Sequence, residues 1–182
     1  MLASRAMTTT DLSYPIGKLE RKSVLTPEER ARAIAAIAAA PAAFRAAVSG
    51  LSEAQLDTPY RPGGWTVRQV AHHVPDSHMN AYVRFKWALT EDTPRIKTYD
   101  QASWALLPDT AATPVEVSLA LLEALHVRWT NLLEGMAPDD FARRLDHPDM
   151  GEITLDALLN VYAWHGRHHT AHVTGLRERE GW

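Results

Sequence analysis

Apolar positions recur every three to four residues in four long stretches, and the polar segments between them are rich in Pro, Gly and Asp. The first stretch, TPEERARAIAAIAAAPAAFRAAVSG, predicts a helix opening at Thr26, with Pro27 at the first helical position and Glu29 completing a capping box. Pro41 inside it is expected to kink the helix or split it. LSEAQLDTPYRPGGW (51–65) reads as a loop with one short helical turn at Ser52–Leu56. Thr66 and Gln69 form a second capping box, opening a helix to about Thr90 that Pro75 should bend. Thr113, Pro114 and Glu116 repeat the start signal, and Gly135 offers a stop. A final helix runs from about Thr154 to Arg179, and no β-strand or internal repeat emerges.

Four long amphipathic helices predict an all-α fold, a four-helix bundle. Residues 1–25 read as an extended N-terminal arm and 26–182 as a single domain, a size that can bury a substantial core. Composition is that of an ordinary globular protein, 46% hydrophobic and 23% charged. A net charge of −3 without a basic run argues against a nucleic-acid partner. The opening residues lack a signal-peptide apolar run, Met7 is an alternative start, and no segment is expected to span a membrane. There is no cysteine, which fits a cytoplasmic protein and leaves His, Asp, Glu and water as the ligands for any transition metal.

The histidines are concentrated. YAWHGRHHTAHV (162–173) holds four, and VAHHVPDSHMN (70–80) holds three more. In the last helix the apolar stripe runs through Leu155, Leu158, Leu159, Tyr162, Val173 and Leu176, and its spacing places His165, His169 and His172 on the same face. His168 falls on the flank with Val161 and Trp164. His165 and His169, four residues apart, stack over one turn and can grip one ion; His168 and His172 share that spacing and remain the alternative pair. In the second long helix, Val67, Val70 and Val74 mark the inward side. At about 100° per residue His73 lies near it and His72 roughly opposite. His72 and His78 read as solvent-facing residues or as groups behind the ligands.

His73 can meet His165 and His169 only if the second and fourth long helices run antiparallel. The connection 92–112, about 21 residues at roughly 3.3 Å each, is long enough to recross a helix of roughly 35 Å. The second and third helices then run parallel.

Three neutral imidazoles leave open coordination positions, at which a divalent metal activates water or stabilises a thiolate. Asp76, one turn from His73, is the one candidate to accept a proton or orient a ligand imidazole, or else a surface carboxylate; the catalytic base is otherwise unassigned. Arg84 and Tyr82 are candidates for contact with an anionic substrate, or belong to an ordinary helix face. Trp65, Trp104, Trp129 and Trp164 line a pocket or fill the core, and His147 lies in a loop of unfixed position.

RPGGWTVRQVAHHVPDSHMNAYVRFKWALTED and YAWHGRHHTAHV, with SYPIG, IKTYDQASWALL and HPDMGEITL, resemble the YfiT-like metal-dependent hydrolases of the DinB superfamily over nearly the whole chain. Pro75 departs from the pattern, where a helix former is expected. The resemblance implies an up-down-down-up four-helix bundle, often homodimeric, holding one divalent ion per chain, commonly zinc or nickel, through three histidines. Carried onto this sequence, those are His73, His165 and His169. It implies a hydrolase acting on a small molecule, or an S-transferase using a low-molecular-weight thiol such as bacillithiol. A non-catalytic metal-binding bundle is the third reading.

Overall fold

The structure, a computed structural model, describes residues 11–182. Residues 1–10, including the alternative start at Met7, lie outside the described residues. The chain forms α1 (Pro27–Val48), α2 (Glu53–Leu56), α3 (Val67–Thr90), α4 (Gln101–Trp104), α5 (Pro108–Ala112), α6 (Val115–Glu134) and α7 (Leu155–Glu180). A 3-10 turn (Pro138–Ala142) and two short strands, β1 (Arg144–His147) and β2 (Gly151–Thr154), stand between α6 and α7.

The helix starts follow from reciprocal side-chain caps. Thr26, Ser52 and Thr66 each accept from the backbone N–H three residues on, and Glu29, Gln55 and Gln69 reach back to the cap. The start of α6 differs from expectation: Pro114 occupies the cap without a side-chain bond, because Thr113 closes α5 by donating its N–H to the Asp109 carbonyl. Neither internal proline splits its helix. Both α1 and α3 continue through Pro41 and Pro75, whose side chains are buried. A proline that cannot donate leaves the carbonyl four residues earlier free, which for Pro41 is that of Ile37.

The unexpected hairpin pairs Arg144 with Thr154, Leu145 with Ile153 and His147 with Gly151. Four-residue strands are too short for a two-residue period to stand out in the sequence. Gly151 turns the chain with φ +69°, a conformation that disfavours any side chain. The connection after α3 is likewise more ordered than its sequence suggests, since α4 and α5 lie within it.

Contacts give the helix directions. Arg30 pairs with Asp156 near the starts of α1 and α7, and Arg177 donates to the Ala47 carbonyl near their ends, so these helices run the same way. His78 meets His126 and Phe85 meets Trp129, so α3 and α6 also run together. His73 lies by His169 and Ser77 by Tyr162, so α3 and α7 are antiparallel. Ile37 touches His126 and Arg45 touches Glu123, so α1 and α6 are antiparallel as well. The order is therefore up-down-down-up for α1, α3, α6 and α7.

Two apolar clusters fill the bundle and leave a histidine-rich layer between them. One surrounds Ile37, Phe85, Trp129, Leu158 and Leu159; the other surrounds Phe44, Val70, Val74, Leu122 and Val173. One helix departs from the sequence expectation about membrane spans. By length and composition α1 is long and apolar enough to cross a membrane, with mean hydropathy 1.4. That value is carried largely by alanine, and α1 here packs on α6 and α7 with Ile37, Phe44 and Val48 buried.

The described part of the N-terminal arm lies along α7. Lys22 donates its backbone N–H to Asn160, Leu25 donates its own to Asp156, and Trp164 donates its indole N–H to the Gly17 carbonyl.

Candidate metal centre

α3 and α7 cross the bundle interior in opposite directions and bring His73, His165 and His169 together, one ligand atom from each lying within 4.8 Å of the others. The Nε2 atoms of His73 and His165 are 3.4 Å apart. Two nitrogens each about 2.05 Å from a tetrahedral ion lie about 3.3 Å apart, so the spacing fits. The inward side of α7 thus separates the two candidate pairs, with His165 and His169 at the cluster. His168 stacks on Trp164 at 4.0 Å between ring centroids, on the flank.

The rings are oriented from behind. Ile37 can only accept at its carbonyl, so His126 donates Nδ1–H to it at 2.7 Å. His126 Nε2 then accepts from His78 Nδ1 at 2.7 Å, and His78 Nε2 accepts from His165 Nδ1 at 3.1 Å. With every ring neutral, this chain leaves the lone pair of His165 on Nε2, facing His73. A second chain starts at the Ser13 carbonyl, which accepts from His172 Nε2 at 3.3 Å; His172 Nδ1 accepts from His169 Nδ1 at 3.4 Å. His169 likewise keeps its lone pair on Nε2. Metal-binding histidines characteristically have the other nitrogen held in this way.

Burial keeps the imidazoles neutral. His73 is pushed down to about 4 by desolvation, and His165 and His169 lie well below the ordinary value, first through burial and then through neighbouring imidazoles. His126 is also lowered to about 4 by burial. Neutral rings with inward lone pairs are the form a divalent ion requires. The residues present therefore fit such an ion.

Other candidates fall elsewhere. His78 is fully buried, which excludes the solvent-facing reading, and stands behind His165. His72 is also buried rather than solvent-facing, but it turns away to Ser118, 2.7 Å from its Nδ1. Asp76 is half-buried and pushed up to about 6, by desolvation and then by Asp109; none of the hydrogen bonds among the described residues joins its carboxylate to a cluster histidine. Tyr82 is a buried member of the core, as is Trp129. Trp65 and Trp164 line a cleft of ≈ 390 Å³ against His73, His165 and His169. Trp104 is partly exposed and stacks near Tyr99, while Arg84 and His147 line a second hollow with His165.

The sequence reading passed over His126. Its signal was present: His126 continues the inward stripe of α6 through Leu119, Leu122, Trp129 and Leu133. The Ser13 carbonyl had no side-chain signal, whereas that of the Ile37 carbonyl was Pro41, four residues on and without an N–H to donate.

The sequence profile of the DinB superfamily matches residues 36–173, a span containing all three clustered histidines. The chain belongs to the DinB superfamily. Within this superfamily it is 54% identical over 172 residues to the Bacillus cereus (strain AH820) protein named "Putative metal-dependent hydrolase BCAH820_2714", covering 94% of this chain and 99% of that one. A similarly named Bacillus mycoides (strain KBAB4) relative is 52% identical over the same shares. Among solved structures, YfiT from Bacillus subtilis, described as "a probable metal-dependent hydrolase with an unusual four-helix bundle topology", superposes with a TM-score of 0.91 at 48% identity, covering 94% of this chain and 98% of YfiT. The four-helix bundle protein TT2238 matches at a TM-score of 0.56 and 22% identity over 84% of this chain and 99% of its own, a likeness of fold. This DinB-superfamily chain thus combines a three-histidine cluster with relatives named for metal-dependent hydrolysis.

Proposed function

We propose that His73, His165 and His169 hold one divalent ion, zinc or nickel, and that the protein is a cytoplasmic metal-dependent hydrolase of a small molecule. The observation that carries this reading is the pair of histidine chains behind the cluster, which aim the Nε2 lone pairs of His165 and His169 at the point His73 faces. A divalent ion with three imidazole ligands supplies a Lewis acid with room for a further ligand, the arrangement of catalytic rather than structural zinc sites. The chain's own groups hold the rings neutral and fix their tautomers. The cleft beside them, walled in part by Trp65 and Trp164, has room for a small molecule.

The test begins with metal content. About one ion per chain is expected, falling below a tenth in H73A, H165A and H169A and staying near one in H168A. Retention of the ion in H165A and H169A would overturn the ligand assignment. Turnover of an ester and amide panel should stop on chelation and return with zinc or nickel. Turnover that appears only with bacillithiol and an electrophile would replace hydrolysis by thiol transfer.

A further inference from the structure

A second hollow, of ≈ 400 Å³, reaches the three-histidine cluster through His165 alone, which shares its wall with Ser77, Arg84, Tyr99, His147 and Tyr162. Arg84 is 6% exposed, yet among the described residues no carboxylate lies within 4.0 Å of its guanidinium. Its guanidinium donates from Nη2 to the Lys97 carbonyl at 3.2 Å and also interacts with the neutral Tyr162 hydroxyl, so its charge has no anionic partner among the described residues. A guanidinium carries five N–H donors in a planar fork, and arginines buried to this degree are ordinarily paired.

The acidic groups at the rim do not answer it. Asp149 is exposed and beyond ion-pair distance. Asp100 is exposed as well, and its carboxylate accepts from the Ala102 and Ser103 N–H groups and the Ser103 hydroxyl. The other groups lining the hollow are uncharged, some hydrogen-bonding and others, such as Leu158 and Val161, apolar. Tyr99 is pushed up to about 12, chiefly by burial, and His147 is lowered by burial and then by the Arg84 charge.

We propose that this hollow binds a carboxylate group of the substrate, held by Arg84, with the rest of the molecule reaching the His165 side of the metal centre. The fork of a guanidinium matches a carboxylate through two parallel N–H···O bonds. One buried cation balances one such charge, whereas a phosphate dianion would bring a second charge to a hollow with no other cationic side chain in its lining. The hydroxyls of Ser77, Tyr99 and Tyr162 also line the hollow and bond among themselves, Ser77 donating to Tyr162 at 3.4 Å, so the substrate's polar atoms near the carboxylate would join an existing hydroxyl network. This assignment rests on the metal reading for its catalytic sense, but not for the binding itself.

Calorimetric titration of the metal-loaded protein with succinate and with its neutral analogue succinamide tests it. Succinate should bind at least tenfold more tightly, and R84Q should erase the difference while metal content stays near one ion per chain. R84K, which keeps the charge and loses the fork, should retain a few-fold preference and guards against a folding defect in R84Q; circular dichroism checks both variants. Equal binding of the two ligands by the wild type would overturn the proposal. So would an undiminished preference in folded R84Q, because the metal would then be taking the carboxylate. Tighter binding of inorganic phosphate than of succinate would overturn the carboxylate assignment. If no ion is retained, the metal reading fails separately, and the same succinate preference is read in the metal-free chain.

Discussion

His78 and His126 touch no substrate cleft wall beyond their neighbours, yet they determine which nitrogen of His165 is free. Removing a group that orients a metal ligand typically weakens affinity by about 10–100-fold. H78L and H126L are therefore expected to retain zinc at high concentration but to release it to a competing chelator at a concentration about tenfold lower or more. Affinity unchanged in both would mean that His165 needs no partner. His126 also makes a pH prediction, since it lies outside the cluster and is held neutral at about 4 against 6.5 for the free side chain. Between these values the unfolded chain takes up a proton that the folded chain refuses, so stability rises with pH. It is present above about pH 6.5 and is lost as pH falls toward 4. Replacing His126 by Gln removes one such proton, flattening the metal-free unfolding profile by up to about 1.4 kcal/mol per pH unit in that window, as read by urea unfolding.

Pro41 in α1 links helix chemistry to the metal centre. The missing N–H leaves the Ile37 carbonyl to His126, so a residue that looks like a helix breaker provides the fixed end of the chain to His165. P41A should gain stability, because proline in a helix interior costs about 3 kcal/mol. The restored backbone donor competes for the carbonyl, and weaker zinc retention is expected alongside a higher urea midpoint. A rise in both would show that the anchor is dispensable. Close approach of α1 and α7 depends on Gly166, where an added Cβ would meet Ala40 Cβ at 3.1 Å. G166L should accordingly cost about 1–3 kcal/mol, measured the same way. The long helices were legible because apolar periodicity and caps such as Thr66–Gln69 are local signals. So was the facing of His165, His169 and His73. The hairpin was not, being only four residues a side, and Pro41 promised only a kink or a split in α1 because its consequence lies on another helix.

For the whole bundle, direction matters more than helix count. The parallel run of α3 and α6 brings His78 beside His126, and the antiparallel run of α3 and α7 brings His73 level with His169. Both follow from a connection long enough to return along the bundle, which sequence length suggested, although α4 and α5 within it depend on tertiary packing. The arm adds a contact that no pattern announced. Deleting residues 1–20 removes the Ser13 carbonyl from His172 and the Gly17 carbonyl from Trp164. Such a truncation should lower the melting temperature by several degrees and weaken zinc retention, whereas S13A, which keeps its carbonyl, should do neither.

The placing of two of the three clustered histidines on α7 has a consequence for synthesis. Everything before Leu155 can be made, and α1, α3 and α6 can begin to associate, with only His73 in position. A ribosome-bound chain therefore cannot capture metal through this centre until its final helix has emerged and threaded between α1 and α3. An ion held as proposed would enter only once α7 is in place, so cellular metal supply would act on a folded bundle rather than guide its assembly.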